Sequence, residues 1–91
     1  TILDGVLPFL EDVNEPARFH AAATVIAQGD ARAVAPLVKL IEDEESVRIR
    51  NKVVDGFAVN GWAIPEELRE AVRNVLPGGY TVDGSGVVNK R

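Results

Sequence analysis

The sequence predicts an all-α fold of about five helices, followed by a small C-terminal β-hairpin. Two observations carry that prediction. Apolar residues return at i, i+3, i+4 and i+7 in successive stretches, the spacing of helices with one buried face. After Pro77-Gly78-Gly79 the pattern changes to Tyr80-Thr81-Val82, a Gly-rich turn, then Val87-Val88-Asn89, which reads as two short strands. The chain thus divides into a helical domain over residues 1–77 and a hairpin or tail over residues 78–91.

The first stripe is Leu3, Val6, Leu7 and Leu10. Pro8 fits it only if the helix begins near Asp4, so that its ring falls in the opening turn. The second stripe is Phe19, Ala22, Ala23 and Ile26, ended by Gly29-Asp30. The third is Val34, Leu37, Val38 and Ile41. Pro36 places Ala31 to Val34 in a short turn, with regular helix from near Ala35. Glu42 to Glu45 ends that helix, and Ser46 can cap the fourth. The fourth carries Ile49, Val53, Val54, Phe57 and Ala58 and stops at Asn60-Gly61. Inside it, Gly56 costs about 1 kcal/mol relative to Ala. Asp55, between Val54 and Phe57, must face outward or find a partner. Pro65 suits the first turn of the fifth helix, whose stripe is Leu68, Ala71, Val72 and Val75. Connections this short make antiparallel neighbours.

Bulk composition bounds the function. A chain of 91 residues holds one small domain. A hydrophobic content of 46% places it among globular chains rather than disordered ones. A net charge of −4 argues against a general nucleic-acid binder, which needs a basic face for phosphates. With no cysteine, disulfides, Cys-ligated zinc and thiol nucleophiles are excluded. That composition is compatible with a reducing compartment, and the expected location is cytoplasmic. No apolar run reaches the roughly 20 residues of a membrane span, and no charged-then-apolar leader opens the chain.

The stripes also repeat. Residues 16–46 align with residues 47–77: Arg18 falls on Arg50, Ala22 on Val54, Ile26 on Ala58 and Gly29 on Gly61. After a one-residue slip in the loop, Leu37 falls on Leu68 and Ile41 on Val72. Two helices per unit at this period mark an α-solenoid. The first unit carries Arg18, Ala21-Ala22-Ala23, Gly29-Asp30, Ala33-Val34, Pro36-Leu37 and Leu40-Ile41-Glu42-Asp43. With these residues it resembles a HEAT repeat of the short bacterial kind, also found in phycobilisome-lyase-type proteins. The resemblance implies a short HEAT-like stack whose units are stitched by Asp and Arg, here Asp30 and Arg50. It implies partner binding on the surface formed by the second helix of each pair, Pro36 to Asp43 and Pro65 to Leu76. Trp62 stands where the first unit has Asp30, a departure that suits a terminal repeat.

The residues offer little for catalysis. Asp83-Gly84-Ser85-Gly86 looks like part of a calcium loop, with Asp83, Ser85 and Gly86 at positions three, five and six. Position one is then Thr81, and the sequence ends before position twelve, so a hairpin turn is the better reading. The acidic run Glu42 to Glu45 reads as a solvated linker. His20, the one histidine, has Ala17, Ala23 and Thr24 as helix neighbours, none a strong ligand. "DGSG" lacks the lysine and helix of a phosphate loop.

The reading is therefore a non-catalytic protein-binding or scaffold module without a cofactor. Its partner is another protein or a second copy, not nucleic acid or membrane. The alternatives are an accessory subunit of a cofactor-attaching lyase and a purely structural oligomerisation domain. Candidate partner-binding residues are Arg48, Lys52, Lys39 and Trp62. Trp62 serves either as an exposed anchor or as a plug for the core, and Phe9 raises the same choice.

Overall fold

The computed structural model describes Gly5 and residues 7–90. Leu3, Val6 and the start near Asp4 lie outside them. A 3-10 turn over Leu7–Glu11 leads into helix α1 (Glu15–Gln28). A second 3-10 turn, Ala31–Ala33, leads into α2 (Val34–Asp43). Helices α3 (Val47–Asn60) and α4 (Glu66–Asn74) follow, then strands β1 (Tyr80–Val82) and β2 (Val88–Lys90). The fold is mostly helical with one small antiparallel sheet. Four α-helices run their full length among the described residues, and Leu7 and Leu10 of the first stripe lie in a 3-10 turn. Pro8 has no N–H to donate to a regular helical bond. Within that turn Leu10 is buried and Phe9 is exposed.

The helix ends follow from their residues. Gly29 and Gly61 close α1 and α3 with φ of 70° and 63°, the left-handed region that glycine enters without a Cβ penalty. Ser46 caps α3 by accepting the Ile49 N–H at 3.3 Å. Asp30 caps the second 3-10 turn, and regular helix begins at Val34.

Helix α1 lies against α3, and α2 against both α3 and α4. At one end Glu15 of α1 bonds to Ser46, the cap of α3, and to Arg48 in its first turn. At the other, Asn60 Nδ2 of α3 donates to the Ile26 carbonyl of α1 at 3.0 Å. Helices α1 and α3 therefore run in the same direction. The core between the helices is aliphatic: Val25, Leu37, Val38, Ile41, Ile49, Val53, Val54 and Val72 are fully buried, with Phe57. Each such side chain contributes about 1.5–3 kcal/mol on burial, more than an exposed ion pair does.

Gly56 explains itself here. A Cβ on it would sit 2.6 to 2.9 Å from three side-chain carbons of Ile26. The bare backbone lets α1 approach α3, and the packing offsets the propensity lost in mid-helix.

The hairpin pairs Tyr80 with Lys90, Thr81 with Asn89 and Val82 with Val88. Strand β2 packs on α3, and β1 packs on α4. The reason lies in the loop after α3. Ala63 bridges Val87, and Ile64 N–H donates to the Gly86 carbonyl at 2.9 Å. Gly86 has φ of 85°, and a Cβ there would lie 2.5 Å from the Ile64 carbonyl oxygen. Tyr80 hydroxyl donates to Asp55 Oδ1 on α3 at 2.9 Å, which gives Asp55 its partner. Val88 is buried in the same seam.

Gly56→Ala is predicted to lower stability by about 1 kcal/mol, because overpacking exceeds the gain in helix propensity. In an Ile26→Ala background the same change is predicted to stabilise. Thermal unfolding of the four variants reads both signs.

Candidate functional site

The first turn of α1, the end of α2 and the start of α3 meet at one end of the fold. Glu44, just after α2, brings a carboxylate there with its side chain only 3% exposed. A buried charge is costly unless it is paired and hydrogen-bonded. Arg18 meets that need: its Nε and Nη2 donate to the two Glu44 oxygens at 2.7 and 2.9 Å. Its Nη1 donates to the carbonyls of Asp12 and Val13. Ser46 N–H completes the carboxylate's shell at 3.0 Å. Burial pushes the Glu44 carboxyl up, but the Arg18 guanidinium and the Ser46 N–H outweigh it and hold Glu44 below its ordinary value.

Ser46 passes the network on. Its hydroxyl donates to Glu15 Oε2 at 2.7 Å while accepting the Ile49 N–H. Arg48 Nη2 donates to Glu15 Oε1 at 2.7 Å, and its guanidinium carbon lies 3.9 Å from the centre of the Phe19 ring. Arg48 and Ser46 hold the Glu15 carboxyl down to about 2.

An open groove of about 890 Å³ begins beside this network, between the first 3-10 turn and α2. Leu10, Pro36 and Leu40 give it apolar surface, and Asp12, Lys39, Asp43 and Glu45 give it charge of both signs. Such a surface offers apolar contact and charge pairing together.

The sequence-derived candidates fall in different places. Lys39 is exposed on α2 beside the groove. Lys52 is half-buried on α3. Arg48, expected to meet a partner, is engaged by Glu15 and Phe19 and joins α1 to α3 instead. Trp62 is no exposed anchor: it is 7% exposed and lies edge-on to Phe57, so it plugs the core. Arg48 and Trp62 stand at opposite ends of α3 and form no common site. Phe9 remains exposed.

The stitching residues also need correction. Asp30 turns inward on its own loop, accepting from Arg32 N–H, Nε and Nη2. It sits at the start of a tight turn, where the nearest orphan N–H groups are its own. Arg50 makes no side-chain hydrogen bond or ion pair among the described residues. The side-chain contacts that join α1 to its neighbours are Arg18 with Glu44 after α2, and Glu15 and the Ile26 carbonyl with Ser46, Arg48 and Asn60 at the two ends of α3. Glu15 in the first turn and Glu44 before a capping serine were visible in the sequence, but their partners lie 26 to 33 residues away.

Asp83 serves the hairpin turn. Its Oδ1 accepts the N–H of Ser85 and Val87, and its Oδ2 accepts from Asn89. Those donors, led by the Val87 N–H, hold its carboxyl below the ordinary value. Among the described residues no group of three or more His, Cys, Asp or Glu is placed to hold a metal ion. No helix among them is long and apolar enough to cross a membrane. Compared with protein-family models, curated proteins and solved structures, the chain matches none.

Arg18→Ala strands the Glu44 charge and is predicted to cost roughly 2 to 3 kcal/mol, with Glu44→Gln costing less. Denaturant titration reads both. Glu15 and Glu44 ionise at lower pH in the folded chain than in the unfolded one. The Glu15 contribution is present above its unfolded value of about 4.5 and is lost as the pH falls toward 2; that of Glu44 is lost in the same direction. Glu15→Gln is predicted to flatten stability against pH across that window.

Proposed function

We propose that the chain is a short HEAT-like α-solenoid acting as a non-catalytic protein-binding or scaffold module. The observation that supports this reading best is the pairing of like helices. The first helix of one unit lies on the first helix of the next, and second lies on second. The bonds joining α1 to α3 span 31 to 34 residues, close to the period of the sequence repeat.

The second helices, α2 and α4, then share one face. Exposed Lys39, Glu42 and Asp43 stand on α2, and Glu66, Glu67, Glu70 and Arg73 on α4. Charged side chains on two packed helices suit a protein surface with complementary charge. Each helix is held by core contacts beneath it, so the face is presented with little ordering cost.

A photo-crosslinking residue at Lys39 or at Arg73 is predicted to capture the same protein. The same residue at His20, exposed on α1, is predicted not to. Turnover of a small molecule by the purified chain, with no protein captured from either helix, would contradict the reading.

A further inference from the structure

Arg18 and Arg50 hold the same place in the two sequence units. So do Glu44 and Val75, once the one-residue slip in the loop is counted. In the first unit Arg18 grips the Glu44 carboxylate with bonds of 2.7 and 2.9 Å. In the second unit the corresponding side chain is an isopropyl group. The place stays open: Arg50 and Val75 line a pocket of about 200 Å³ with Asn51 and Asn74, bordered by Val47 and Leu76. Arg50 is half-buried there, and its side chain has no hydrogen bond or ion pair among the described residues.

A guanidinium presents five N–H donors in a planar fork that matches a carboxylate. We propose that this pocket takes a carboxylate from outside the fold: the Asp or Glu side chain of a partner, set against Arg50 as Glu44 is set against Arg18. The assignment rests on the reading of the chain as a protein-binding module. Asn51 and Asn74 bring amide groups to the same pocket. Val47 is 57% exposed and gives apolar contact to residues flanking the carboxylate. The net charge of −4 opposes an acidic run at a distance, so the recognised segment joins one carboxylate to apolar neighbours.

The test uses a blocked leucine–glutamate–leucine tripeptide, its glutamine counterpart and sodium acetate, at constant ionic strength. The readout is the Nε–H resonance of Arg50. The glutamate tripeptide is expected to shift it saturably, the glutamine tripeptide not at all, and acetate with weaker affinity. Arg50→Gln is expected to abolish tripeptide binding followed by the backbone N–H signals of Val47 and Asn51. Val75→Glu supplies the carboxylate internally and is expected to weaken tripeptide binding by about tenfold or more relative to Val75→Gln. Equal shifts from the two tripeptides, or equal binding by the two Val75 variants, would overturn the proposal. Acetate binding as tightly as the tripeptide would overturn the assignment to a partner segment. Loss of the tripeptide effect while α2 and α4 still crosslink to one protein would remove this pocket and leave the protein-binding reading in place.

Discussion

The Arg18–Glu44 pair sets the arrangement of everything around it. Glu44 carries a carboxylate into a place where little of it reaches water, so the fold must bring donors to it. Arg18 comes from α1, and the Ser46 N–H from the start of α3. Three elements are thereby fixed to one group: the side of α1, the end of α2 and the cap of α3. The pair itself adds little net free energy compared with an apolar replacement. Its consequence is register, because a displaced helix would leave a buried charge unpaired. Glu15, Ser46 and Arg48 repeat the constraint on the neighbouring face, and Asn60 fixes the far end on the Ile26 carbonyl.

Register set by polar groups lets the apolar contacts be close. Between the two polar ends, Gly56 brings α3 onto Ile26 without a side chain between them. Trp62 and Ile64 then fill the space beyond the last turn of α3. The hairpin continues the same seam, held by the Ala63–Val87 bridge and by Arg69, which donates to the Ile64 carbonyl at 2.9 Å and to the Ser85 carbonyl at 3.2 Å. The C-terminal strands thus cover α3, and Val88 is buried between them and that helix.

Local features were legible in the sequence, and distant pairings were not. The stripes of α1 to α4, the left-handed glycines at 29 and 61, the Ser46 cap and the strand residues of the hairpin all follow from rules that span a few residues. Asp30 shows where that reach ends: its role depends on whether the nearest free N–H is its own or a neighbour's, and the tight turn decides for its own. Arg50 shows the same limit from the other side. The repeat placed it with Arg18, but the acceptor in the first unit, Glu44, has Val75 as its counterpart. Gly56 read as a weak point until the approach of Ile26 gave it a purpose. The groove beside α2 has one wall on the helix of Pro36 to Asp43, but its other wall comes from the first 3-10 turn, a segment with no shared sequence pattern.

Helices α1 and α3 lie side by side in one direction, with Ile26 seated on Gly56. A nuclear Overhauser measurement between the Ile26 methyl protons and the Gly56 α-protons tests it directly. A strong cross-peak is expected. Absence of the Ile26–Gly56 cross-peak in a folded sample would contradict it.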